Sequence, residues 1–84
     1  MLNGLTNLGP TTIRRLEAVG IRDRETLARV GPASAYRVLC AEAGARLPVC
    51  FYLYALEGAL RGVDWRSLSP EEKARLRDKA GLDG

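Results

Sequence analysis

Pro48-Val49-Cys50-Phe51-Tyr52-Leu53-Tyr54-Ala55-Leu56-Glu57-Gly58-Ala59-Leu60-Arg61-Gly62 is the stretch whose reading decides the fold. Between Pro48 and Arg61 one carboxylate, Glu57, interrupts a run that is otherwise apolar, so a helix here is hydrophobic on nearly every side. Such a helix belongs at the centre of a domain, with the others packed upon it. The apolar run from Leu47 to Leu60 is 14 residues long, too short to cross a bilayer. Ala55, Gly58, Ala59 and Gly62 are small and let a neighbour approach closely. The stretch predicts a central helix over Pro48–Arg61, opened by a proline and stopped by a glycine.

The same punctuation recurs outward in both directions. Pro10, Pro32 and Pro70 stand where other apolar-periodic segments begin, the first-turn position where a missing N–H costs nothing. Gly20, Gly31, Gly44 and Gly81 stand where segments stop, the left-handed position just past a helix end. No segment alternates with a period of two, which argues against strands. A first helix is expected over Pro10–Val19, with Ile13, Leu16 and Val19 inward and a Schellman contact between Leu16 and Ile21. Asp23 caps a second over Arg24–Val30, with Leu27, Ala28 and Val30 available to the core. A third runs over Pro32–Ala43 with Ala35, Tyr36, Val38 and Leu39 inward. Ser69-Pro70-Glu71-Glu72 is a capping box opening a fifth, with acids in the first turn and Lys79 in the last. The fold class is all-α: a compact five-helix domain of helix-hairpin-helix or SAM-like type, covering 1–84 as one unit around the fourth helix.

Composition narrows the chemistry. The 84 residues are 46% hydrophobic and 27% charged, the balance of a soluble globular chain. Histidine is absent and there are two cysteines, which removes Ser-His-Asp and Cys-His nucleophile systems and the usual zinc sets. No glycine loop with a lysine cradles phosphate, and no acids are paired for catalysis. The expectation is a non-enzyme with no cofactor, no metal and no small-molecule substrate, located in a reducing cytoplasm. The N-terminus lacks the basic start and apolar run of a signal peptide. Eleven arginines and two lysines against ten acids give a net charge of +3, which permits a nucleic-acid partner.

The segment richest in functional signal is Leu5-Thr6-Asn7-Leu8-Gly9-Pro10-Thr11-Thr12-Ile13-Arg14-Arg15, followed by Val19-Gly20-Ile21. It resembles a helix-hairpin-helix, with Asn7 where such hairpins place their first glycine. Asparagine tolerates the left-handed backbone that the turn needs. A helix start offers unsatisfied N–H groups and partial positive charge, which suit a phosphate. Gly9 leaves room for a sugar-phosphate backbone, and Thr11, Thr12, Arg14 and Arg15 stand within one turn. These five are the expected DNA-phosphate contacts, and such contacts carry no sequence preference. Arg22, Arg24 and Arg29 join Arg14 and Arg15 in the first third, against Glu17, Asp23 and Glu25. The plainer reading is that Gly9-Pro10 is a good helix start and the hairpin serves packing.

Leu8-Gly9-Pro10, Val19-Gly20-Ile21, Leu27, Gly31 and Ala35-Tyr36 extend the pattern, and Tyr54-Ala55-Leu56-Glu57-Gly58-Ala59-Leu60-Arg61-Gly62 with Trp65 and Leu68 is its most specific part. Over about Leu5 to Lys79 the chain resembles the C-terminal domain of the TfoX/Sxy regulators of natural competence. In that family the domain follows an N-terminal domain, and the whole protein acts with the cyclic-AMP receptor protein at competence promoters. The resemblance implies a regulatory module, either stand-alone or part of a longer protein. Its expected partners are DNA, held weakly and non-specifically, a transcription factor, or a second copy in a homodimer. The alternative is a helical interaction or oligomerisation module without direct DNA contact.

Three further residues have structural and functional readings. Glu57 in an apolar helix is either a salt-bridged or capping carboxylate, or an acid of raised pKa. Cys40 and Cys50 are buried thiols or a redox pair. Trp65 closes the core under the loop after the fourth helix, or offers a stacking face. In each case the structural role is the stronger expectation.

Overall fold

Three of the four prolines open helices as their positions demand. In the computed structural model, which describes Leu2 and residues 4–82, α1 (Pro10–Ala18), α3 (Pro32–Ala43) and α5 (Pro70–Lys79) all carry proline in the first turn. α2 (Arg24–Val30) and α4 (Leu53–Arg61) complete the set, with a 3₁₀ turn at Trp65–Ser67 after α4. The described residues contain no strand.

The helix ends follow local chemistry. After α1 the Ile21 N–H donates to the Leu16 carbonyl at 2.9 Å and the Gly20 N–H to Glu17 at 3.0 Å, the Schellman pair. Leu16 and Ile21 are both buried in one cluster. The Asp23 side chain accepts from the Thr26 N–H at 2.7 Å, and the Ser69–Glu72 capping box is complete. Gly31 differs from the expected stop. Its φ of 90° with ψ of 148° is an extended conformation on the positive side, which only glycine adopts easily. It ends α2 and caps α3 at once, so the two helices meet with no loop between them.

The fourth proline corrects the sequence reading. α4 begins at Leu53, five residues after Pro48. The intervening chain makes a wider turn, with the Tyr52 N–H donating to Pro48 at 3.2 Å and the Tyr54 N–H to Val49 at 2.8 Å. Tyr52, at φ −121° and ψ −64°, breaks the helical path. Phe51 consequently points to solvent and is 63% exposed. Three more expected core residues also face outward: Val30 and Val38 are exposed, as is Ala28. For α2 a single buried residue, Leu27, suffices to dock seven residues.

The core has two lobes. Leu2, Leu16, Ile21, Leu27, Ala35, Leu39 and Leu56 fill one; Tyr36, Leu53, Tyr54, Leu68, Leu76 and Ala80 fill the other. α3 and α4 contribute to both. α3 packs against α1, α2, α4 and α5, and α4 against α2, α3, α5 and the 3₁₀ turn. The centre is therefore the α3–α4 pair rather than α4 alone. Polar ties bind the second lobe. The Tyr36 hydroxyl donates to the Leu47 carbonyl at 2.5 Å, and Arg77 donates to the Tyr54 hydroxyl at 2.5 Å. Lys73 lies over the Tyr54 and Trp65 rings, 5.6 and 5.4 Å from their centroids.

Candidate functional site

The N-terminal hairpin is built from turns. Leu5 N–H donates to Leu2 at 3.2 Å and Leu8 N–H to Leu5 at 3.4 Å, and no helix forms among the described residues before Pro10. Asn7 takes the left-handed backbone, with φ of 74°. Its side chain does what a glycine could not. Nδ2 donates to the Val63 carbonyl at 2.9 Å and the Ala55 carbonyl at 3.4 Å, and Oδ1 accepts from the Trp65 N–H at 3.3 Å. One amide thus pins the hairpin to α4 and to the corner after it.

Gly58 makes this possible. A methyl group there would collide with the Asn7 Nδ2 and lie 2.6 Å from the Val63 carbonyl oxygen. The turn residue is held by three hydrogen bonds, so Gly9 and the first turn of α1 project from a fixed base.

The five expected phosphate contacts divide. Gly9, Thr11 and Arg14 are exposed, and a side chain at Gly9 would meet nothing within 4 Å. Thr12 is buried, at 8% exposure. Arg15 is half-buried, with its guanidinium 6.0 Å from the Tyr52 ring centroid. Its Nε is buried and finds no hydrogen-bond partner among the described residues. Thr12 and Arg15 lie on the packed side of α1 and do not join the other three. A helix has a 3.6-residue repeat, so Thr11, Thr12, Arg14 and Arg15 cannot all share one face; spacing alone separates Arg14 from Arg15. Arg24 is also engaged, donating to the Leu60 carbonyl at 2.6 Å and so capping the end of α4.

The second Gly-Pro helix start, Gly31-Pro32, opens into a hollow of about 330 Å³. Glu57 and Glu72 line it together with Arg75 and Lys79, a mixture of charge that does not favour an anion. Glu57 has the expected structural role: its carboxylate lies 3.7 Å from Arg61. Arg61 also pairs with Glu72 at 2.6 Å. The Ser69 N–H and this guanidinium hold the Glu72 carboxyl down at about 2. The cysteines are free and half-buried, and the Cys40 sulfur accepts from the Leu47 N–H at 3.4 Å. Trp65 is half-buried and packs 6.2 Å from the Tyr54 ring, centroid to centroid.

The model of the TfoX C-terminal domain matches residues 1–80. The chain belongs to the TfoX C-terminal domain family. A crystal structure of an uncharacterized protein from Listeria monocytogenes, in a triclinic form, is similar over 99% of this chain and 97% of its own, at 30% identity and a TM-score of 0.80. No curated protein sequence matches the chain. In this TfoX C-terminal domain the Asn7-Leu8-Gly9-Pro10 turn and the Tyr54–Leu60 segment are two sides of one contact, closed where the Asn7 amide passes over Gly58. No described helix of the domain is long and apolar enough to span a membrane.

Proposed function

We propose that this TfoX-type domain is a non-catalytic regulatory module of the cytoplasm. It touches DNA phosphates without sequence preference at the start of α1, and so supports transcription regulation of the competence type beside another factor. The open N-terminus of α1 carries this reading: Gly9 and Thr11 are exposed, and Arg14 stands one turn on. Backbone N–H groups at a helix start and a nearby guanidinium are the usual means of holding a phosphate oxygen. Pro10 has no N–H to offer, which leaves those of Gly9, Thr11 and Thr12 in the first turn. A site this small neutralises about two phosphates. It implies a salt slope near −2 and weak affinity alone, which suits a domain working next to a sequence-reading partner.

The test is titration of the domain into labelled duplex DNA at about 50 and 200 mM salt, with Arg14→Ala alongside. Salt-sensitive binding whose slope falls by about one in the variant supports the reading. Binding that ignores Arg14, or no binding by a folded domain, removes it.

A further inference from the structure

The outward face of α3 carries a second apolar stripe. Val38, expected in the core, is 42% exposed, and with Ala41 it lines a hollow of about 360 Å³. A second hollow of about 360 Å³ adjoins it, sharing Arg37 and Ala41 and extending past Ala45 to Leu82. Together they form a shallow groove along α3 whose floor is mainly apolar, with Arg37 where the two hollows meet and Arg46 beside the second; both arginines are exposed. No acidic residue lines either hollow; Glu42, the acid of α3, lies off them. Among the described residues neither arginine makes an ion pair.

We propose that this groove receives an amphipathic helix of a partner protein, its apolar edge flanked by acidic side chains. Small residues on the floor, Ala41 and Ala45, permit close approach, and Val38 supplies an apolar knob. A helix lying in such a groove anchors itself with residues at i, i+3, i+4 and i+7. The cations select the sign of its rim, since complementary charge steers encounter and rejects wrong partners. A second copy of this chain fits poorly. A two-fold contact presents the same patch on both sides, and would set Arg37 and Arg46 against arginines. DNA fits poorly as well, because the floor offers methyl groups and not N–H donors to phosphates. The groove is independent of the α1 start, so this inference stands whether or not that end binds phosphate.

The probe is a synthetic helical peptide with leucines at i, i+3, i+4 and i+7 and glutamates on both flanks, titrated into isotopically labelled domain and followed by amide shifts. A lysine-flanked peptide of the same apolar spacing is the control. Expected are saturable shifts centred on Val38, Ala41 and Ala45, with affinity at least tenfold weaker in Arg37→Glu/Arg46→Glu. That variant is expected to prefer the lysine-flanked peptide. All the substituted residues are exposed, and the variant's own amide spectrum confirms its fold. Val38→Asp is expected to weaken the glutamate-flanked peptide by a similar factor. No shift in the groove, equal affinity for both peptides, or indifference to the charge reversal overturns the proposal. So does concentration-dependent self-association that Val38→Asp abolishes, which would make a second copy the occupant.

Discussion

The Asn7 carboxamide lies where a methyl group on Gly58 would have to go. Residues 7 and 58 are therefore one structural element. Alanine is the better helix former by about 1 kcal/mol, yet Gly58→Ala is expected to destabilise the domain, because backbone and the Asn7 amide crowd the added carbon. Asn7→Gly keeps the left-handed turn and loses all three bonds. With partly buried partners left unsatisfied, it is expected to cost about 1–3 kcal/mol. Denaturant unfolding of both variants checks the signs.

Arg14 and Arg15, adjacent in sequence, have opposite expected phenotypes. Arg15→Ala removes the stack on Tyr52 and is expected to cost about 0.5–1 kcal/mol while leaving the DNA salt slope unchanged. Arg14→Ala is expected to leave stability within about 0.5 kcal/mol and to lower the slope. Thermal melts paired with the two-salt titration separate them.

Within the apolar stretch, Leu56 and Phe51 are expected to differ just as sharply. Leu56 is fully buried, and Leu56→Ala is expected to cost about 2–5 kcal/mol. Phe51→Ala, at a solvent-facing turn, is expected to change stability by less than about 0.5 kcal/mol. Unfolding midpoints at constant m-value report this contrast.

Acid is expected to loosen the α4–α5 junction. The folded Glu72 carboxyl is held at about 2, against an ordinary 4.5. A depressed folded pKa means that the stabilisation is complete above about 4.5 and is lost as pH falls toward 2. Asp64, held at about 2 by Arg66, acts in the same direction. Glu72→Gln is expected to flatten the fall in stability between pH 5 and 2 and leave the Asp64 share; melts across that range decide it.

The parts of the fold legible in the sequence are those governed by neighbours. Caps at Asp23 and Ser69, the Leu16–Ile21 Schellman contact and three of the proline starts depend on residues a few positions apart. Pro48 failed as a start because Tyr52 leaves the helical path, and the aromatic run around it reads as helix or turn with equal ease. Val38 turned outward because α3 has apolar residues on two faces, and periodicity does not say which face meets α4. At the hairpin the exposed part, Gly9 with Thr11 and Arg14, was readable as a helix start. The inward turn of Arg15 and Thr12 follows from helical spacing, which sets both on the side of α1 away from Arg14. The Asn7 bonds were not readable, since their partners lie 48 to 58 residues away.

That separation sets an order of events during synthesis. The residue that anchors the hairpin emerges early, but its partners at 63 and 65 arrive 56 and 58 residues later. At about 5–20 residues per second this is a wait on the order of 3–12 s. On a ribosome the first turn to be made is thus among the last to be fastened, and its open helix start takes fixed form only once most of the chain is out.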